Sequence, residues 1–393
     1  MLNWRTGSIL DRKASVLEHK KLGDIASLKT GPFGTQLSAS EYVESGIPVI
    51  NVKNIGYGEI RIGDLDFISQ ATRNRLSDHI LHSGDIVFGR KGSVDRHAYI
   101  STAEDGWLQG SDCIRVRCLP GINSHYVSHY LRLESVKKQV NWAAVGSTMD
   151  SLNTDILREI HIALPSLETQ NSIEGFLSQF DVAINLNNQI NDNLHQMVQE
   201  IYLHMFFGCK PNAKLGDLLI EHPKSTVQVN DAKGFEGIVP FFTSGESILR
   251  WNEPMTTDSI CLLNTGGNAD VKFYAGAAAY STDTWCISAT DDLTEYLYML
   301  LQTIRKELDI KFFTGTGLKH LQKPLLKERP VYQPTSKEAA RFNRIAIPAM
   351  ALISENIRQN CELQALRDWL LPMLMNGQAT VEATQPNYRL PYD

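Results

Sequence analysis

The sequence predicts a mixed α/β protein: two tandem domains separated by two long antiparallel coiled-coil helices, with a pseudo-twofold internal repeat. Three observations predict it. The chain repeats its own edges, a heptad-spaced stretch follows each copy, and the segments between the edges carry strand and helix patterns. Its 393 residues allow two or three domains of roughly 150 residues each.

The repeat comes first, because missing one miscalls a fold. Lys21-Leu22-Gly23-Asp24-Ile25 returns as Lys214-Leu215-Gly216-Asp217-Leu218, and the block beginning at Gly146 returns at Gly315 without a gap. The closing blocks are 169 residues apart and the opening ones 193, so the second copy is 24 residues shorter in its middle. Constant edges around variable middles suit two domains doing one job on different targets. The boundaries follow: a first domain over 1–165, a first spacer helix over 166–208, a second domain over 209–334, a second spacer helix over 335–378 and a tail over 379–393.

The helices are predicted from spacing. Phe176, Phe180, Ala183, Asn187, Ile190, Leu194, Met197 and Ile201 alternate four and three apart. Ile345, Ala349, Leu352, Asn356, Gln359, Leu363, Leu366 and Leu370 repeat that spacing. Such a/d seams mark helix–helix interfaces. The first helix, Leu167 to Phe206, would be roughly 60 Å long at ~1.5 Å per residue. Pro165 and Pro334 precede the helices and Gly208 and Gly377 follow them, as start and stop signals do. Pro348 should kink the second helix or mark where its regular part begins. Asn187 and Asn356 fall at the same step, where a polar core residue fixes register or is merely tolerated at a wet contact.

In the middles, 47–55, 85–93, 239–246, 259–267 and 284–288 read as strands, while 125–140 and 295–308 read as helices. The six cysteines show no C-x-x-C pair and read as reduced and buried. His125 and His129 share a helix face without a third ligand in sequence, which reads as helix surface rather than metal site. No signal-peptide h-region and no apolar run of membrane length are present, so a cytoplasmic location is expected. The net charge of −6 weighs against unaided binding to a polyanion, since phosphate contacts need Lys and Arg. Residues 1–165 hold 19 Lys and Arg against 18 Asp and Glu, so no broad basic face is expected there.

The pattern resembles the specificity (S) subunits of type I restriction–modification systems. Gly84-Asp85-Ile86-Val87 with Gly89 and Gly92 resembles the family's strand and glycine loop. Gly146-Ser147-Thr148 through Leu164-Pro165 resembles the end of a target-recognition domain, and residues 164–173 resemble the start of its spacer helix. Trp369-Leu370-Leu371-Pro372 through Gly377 resembles the end of the second helix. The second copy departs from the pattern: it has Thr257-Asp258-Ser259-Ile260 where the Gly-Asp pair is expected, and no Leu-Pro before its helix.

The resemblance implies a non-catalytic subunit reading a bipartite site on double-stranded DNA, one half per target-recognition domain, with half-sites about one turn, roughly 34 Å, apart. It also implies two methyltransferase (M) subunits and nuclease/translocase (R) subunits as partners. S-adenosylmethionine, ATP and Mg would belong to those partners, with no cofactor or metal in this chain. An autonomous methyltransferase or nuclease lacks support, since neither a Gly-rich cofactor loop nor a phosphate loop is present. A coiled-coil scaffold of a defence complex, without base reading, is the alternative; it gives no reason for two diverged copies of one domain.

Loops on rigid scaffolds carry recognition, and Arg, Lys, Asn and Gln reach phosphates and base edges. In the first domain the candidates for DNA contact are Arg90, Lys91, Ser93, Arg96 and His97. Thr30, Gly31, Phe33, Thr35 and Gln36 form a second group, and Asn51, Lys53, Asn54, Ser147 and Thr148 complete the set. In the second domain they are Thr243, Ser244, Asn264, Thr265, Asn268 and Lys272, with Thr316, Lys319 and His320.

Overall fold

The structure, a computed structural model, describes residues 18–144, 151–235, 237–315 and 317–381. It divides into two units. The first comprises Met1–Asp181 and Leu366–Asp393, the second Val182–Ala365. Each is described by itself.

In the first unit a five-stranded sheet runs in the order Ala26–Thr30, Cys113–Cys118, Asp85–Gly89, His97–Tyr99, Tyr57–Gly58. Its pairs are antiparallel except the last. Asp85–Gly89 is buried at every position, which is why it reads as a continuous apolar run rather than an alternating one. Its single charge, Asp85, is met by Arg117 at 2.7 Å through both Nε and Nη2, the bidentate geometry that makes a buried carboxylate tolerable. A second sheet orders Tyr42–Val43, Asp66–Ile68, Ile47–Ile50 and Leu108–Gln109, the last pair parallel. The predicted strand over 47–55 thus stops at Ile50 and tightens into a 3-10 turn at Val52–Asn54. The predicted helix over 125–140 is two helices, Ser124–Leu131 and Glu134–Ala143.

The second unit repeats this plan. Leu219–Glu221, Thr284–Ala289, Ser259–Asn264 and Val271–Ala275 form an antiparallel sheet in that order. Val239–Phe242 pairs parallel with Ala279–Tyr280, as Ile47–Ile50 does with Leu108–Gln109. The helix Thr294–Thr303 lies against the first of these sheets, with Tyr296, Leu297, Met299 and Leu301 in its core.

The long helices are Leu167–Phe206 and Ser336–Met375, each 40 residues, and both of their ends differ by the repeat's own shift. Ser166 caps the first, its Oγ accepting the Thr169 N–H at 3.2 Å. Thr335 and Glu338 exchange bonds in a capping box at the second. Gly208 and Gly377 follow the helices with φ of 83° and 69°, left-handed values that end a helix cheaply. Pro348 lies inside the second helix and does not mark its beginning.

Within each unit the helix segments run antiparallel. In the second, Asn187 bonds Asn360, Asn191 bonds Asn356 and Asn188 bonds Asn360. In the first, Ile173 and Leu177 share a core with Leu370, Leu371, Leu374 and Met375. The sequence seam is half right. Its row Asn187, Leu194, Ile201 and its row Ala349, Asn356, Leu363, Leu370 face inward, all buried or half-buried. The other row slips by one residue. Ile190 and Met197 are 40% exposed, Leu352 46% and Leu366 44%, whereas Leu177, Ile184 and Val198, and Ala346 and Ile353, are buried in their place. Of the same slipped row, Phe176, Ala183, Ile345 and Gln359 are half-buried, as is Phe180 of the inward row. All six cysteines are free, and burial pushes the thiols of Cys113 and Cys286 up to about 12.

Candidate nucleic-acid interface

The loop after Asp85–Gly89 leaves the sheet edge with its backbone fixed on both sides. Arg90 donates its N–H to Asp112 O at 2.8 Å, and Leu152 N–H donates to Arg90 O at 2.8 Å. The Arg90 guanidinium lies 4.7 Å from the centroid of the Phe33 ring, which is 45% exposed. Arg90 Nε is buried without a partner. Lys91 pairs with Asp112 at 3.4 Å and stays exposed, as does Ser93. Arg96 stacks on Tyr57 at 5.1 Å, and Lys137 approaches the same ring at 5.0 Å. Sequence reasoning missed Tyr57 and Lys137, since nothing in spacing links them to this loop. Two cations on one exposed aromatic ring form a surface suited to phosphate and base contact.

Other predicted residues serve the fold. Gly31 packs so closely on Gly110 that a Cβ would sit 1.9 Å from its carbonyl oxygen. Thr30 closes a strand, and Gln36 accepts the Phe33 N–H at 3.2 Å. Asn54 is buried, donating to the Arg61 and Asp64 carbonyls at 3.0 Å, so it offers no edge to a ligand. Asn51 donates to Asp66 at 2.8 Å, and Lys53 pairs with Asp64 and Asp66. His97 is buried against Ser128 at 3.0 Å, not in the surface loop. Ser147, Thr148 and Thr316, and the side chain of Thr35, lie outside the described residues.

Buried His97 belongs to a cluster with half-buried His125 and buried His129, and the rings of the latter two stack 4.7 Å apart. Burial and then the Arg132 charge bring His97 down to about 3 and hold His129 well below its ordinary range. The expectation of a helix surface here is corrected: His129 is 0% exposed. A carboxylate joins it from far along the chain, and His125, His129 and Asp181 bring ligand-type atoms within 4.8 Å of one another. Yet Asp181 already accepts Arg132 at 2.9 Å and Arg367 at 2.6 Å, one on each oxygen. A divalent cation would meet two fixed positive charges, so the cluster reads as an ion-pair network joining the helix Ser124–Leu131 region to both long helices.

The second unit holds its loop in the same way with different side chains. Thr265 donates its N–H to Asp283 O at 3.0 Å, and Leu321 N–H donates to Thr265 O at 3.0 Å. Asn264 is buried; its amide donates to Gly266 O at 2.7 Å and its oxygen accepts the Asp270 N–H at 2.7 Å, which shapes the loop instead of facing outward. Thr243 is buried, and Lys272 donates to its carbonyl at 2.8 Å. Burial lowers the Lys272 pKa, with Asp270 opposing. Lys319 pairs with Asp309 at 2.9 Å. Ser244, Thr265, Asn268 and His320 remain at least partly accessible.

The comparisons with known proteins agree with this geometry. The family model for the type I restriction modification DNA specificity domain matches residues 15–196. The MjaIX type I restriction enzyme specificity subunit of Methanocaldococcus jannaschii is 21% identical over 412 residues, covering 92% of this chain and 93% of that one. The MjaVIII specificity subunit of the same organism is 22% identical over 194 residues, covering 46% of this chain and 43% of its own. Among solved structures, the type I restriction-modification S subunit from M. genitalium superposes with a TM-score of 0.55 at 14% identity, covering 92% of this chain and 97% of that one, and so shares the fold. With the duplicated sheet order and paired helices already described, the chain is similar along its length to type I restriction–modification specificity subunits, and its residues 15–196 match that family's DNA specificity domain.

Proposed function

We propose that this chain is the DNA-reading subunit of a type I restriction–modification complex, each unit reading one half of a bipartite target. The observation that carries this is the duplicated reading platform: two sheets of the same order, each holding its outgoing loop by the same backbone bonds, with diverged side chains. The accessible candidates are Arg90, Lys91, Ser93, Arg96, Phe33 and Gln36 in the first unit, and Ser244, Thr265, Asn268 and His320 in the second. The chain contributes no catalytic group. Methyl transfer with S-adenosylmethionine, and ATP- and Mg-dependent cleavage, belong to two M subunits and the R subunits.

The helices supply a docking face for the M subunits. In the second unit Val182 is 62% exposed and Leu186 55%, beside Ile190 and Met197. Apolar side chains aligned along one helix favour a protein partner over water. A local rather than global positive charge on the chain fits a reader whose partners supply the rest of the field.

The test is to express the chain with the M subunit of its system and sequence the methylated bases in host DNA. Two short specific blocks around a fixed unspecified gap are expected. Methylation at one continuous motif, or none from a stable complex, would count against the reading.

A further inference from the structure

Arg90 and Thr265 occupy one position of the duplicated platform. Gly89 pairs with Cys113 and Asn264 with Thr284, each at the end of its strand. The next residue in each unit makes the same two backbone bonds, to Asp112 and Leu152 in the first and to Asp283 and Leu321 in the second. A shared backbone setting with a changed side chain is what a selectivity position requires, because the side chain can vary without disturbing the fold.

The two side chains differ in what they leave open. Thr265 Oγ1 donates to Asp283 O at 3.1 Å, so its hydrogen is spent within the loop. Arg90 makes no side-chain hydrogen bond or ion pair among the described residues. Arg117, Arg132, Arg329 and Arg367, also held against the protein, each meet a carboxylate. The Arg90 guanidinium lies instead against the Phe33 ring, and its Nε is buried. The ring holds the guanidinium in place at small entropic cost, because the group is planar and weakly hydrated. With Nε inside, the edge left for a ligand is the Nη1/Nη2 pair. Two parallel N–H donors match the adjacent O6 and N7 acceptors of guanine in the major groove, and no other base presents two acceptors there.

We infer that Arg90, seated on Phe33, reads a guanine in the half-site of the first unit, and that Thr265 leaves the second unit without this contact. The inference rests on the DNA-reading function proposed above. It differs from a phosphate clamp, which would strengthen binding to every sequence alike.

The experiment uses the full chain assembled with its M subunit. Host-DNA methylation is sequenced for the wild type, Arg90→Ala and Arg90→Lys. One G·C position in one half-site should become relaxed in both variants, with the other half and the gap unchanged. Binding is then measured to duplexes in which each guanine of that motif is replaced by 7-deazaguanine, which lacks the N7 acceptor. At one guanine the wild type should lose roughly 10-fold in affinity or more, and Arg90→Ala should lose nothing further from the same replacement. This second measurement decides the matter even where Arg90→Ala methylates too weakly to define a motif. An unchanged motif with uniformly weaker binding would overturn guanine reading and leave a phosphate clamp. Equal sensitivity of wild type and Arg90→Ala to every 7-deazaguanine, or a motif without a G·C pair, would overturn it too. Absence of any split motif in the wild type would instead remove the underlying function.

Discussion

Asn187 donates through Nδ2 to Asn360 Oδ1 at 2.9 Å, and the 169-residue shift between the two long helices carries this bond onto Asn356 donating to Asn191 at 2.8 Å. Donor maps onto donor and acceptor onto acceptor. Asparagines buried between helices cost stability but reward one register, since any slip leaves amides unpaired.

Removing Asn360 strips Asn187 of its acceptor and Asn188 of its donor. Asn360→Ala is expected to destabilise the second unit by about 1–2 kcal/mol, the cost of unmade buried hydrogen bonds. In a urea-unfolding double-mutant cycle, Asn187→Ala and Asn360→Ala should couple by about 1 kcal/mol. Strict additivity would show that the pair contributes no direct interaction.

Asp181 is the common partner of Arg132 and Arg367, whose side chains are 9% and 16% exposed. Asp181→Ala leaves two nearly buried guanidiniums uncompensated and should cost about 3 kcal/mol or more in the first unit. Burial alone would raise the Asp181 pKa, but the two guanidiniums together hold it below its ordinary value. Its contribution is therefore complete above the unfolded carboxyl range, roughly pH 4, and is lost as pH falls through the lower folded value. Thermal melts between pH 5 and 2 should show wild type and variant converging.

The histidine cluster sets an earlier acid limit. The folded pKa values of His97, His125 and His129 are all lowered, chiefly by burial, so the unfolded chain binds protons that the folded one refuses. Stability is full above about pH 6.5 and declines below it, by up to about 1.4 kcal/mol per pH unit for each such group. A His129→Gln variant should lose less stability than wild type between pH 7 and 5. A parallel decline in both would mean that His129 already takes up its proton when folded.

The exposed face of the first helix tests partner docking. Leu186→Lys, at a position 55% exposed, should leave the melting temperature within about 2 °C of wild type, because surface changes away from special features cost little. Co-purification of the M subunit should drop sharply. Retained co-purification would move the docking face elsewhere.

Much of this architecture was legible in the sequence, because it rests on local rules. The repeat, the two helices, their starts and stops, and most strands follow from periodicity and turn residues. The seam slipped by one residue because Ile190, Met197 and Leu352 are as apolar as the residues that replace them, and only packing ranks the two rows. The site was less legible for a related reason. Asn54 and Thr243 look like surface donors until tertiary contacts bury them, and Asp181, 52 positions further along the chain, reaches His129 only when the chain folds back. The correspondence of Arg90 with Thr265 lies in backbone bonds, which no side-chain motif announces. Asn191 and Asn360 could have been found by applying the repeat's shift to every asparagine of the helices.

One consequence concerns the order of manufacture. The core that holds Leu22, Ile173 and Leu177 is closed by Leu370, Leu371, Leu374 and Met375, supplied from the far end of the chain. A ribosome therefore releases the entire second unit before it delivers the last wall of the first. The earliest domain to emerge is the last to be sealed, and until then the apolar face of its helix stays uncovered, the kind of transient exposure that favours aggregation.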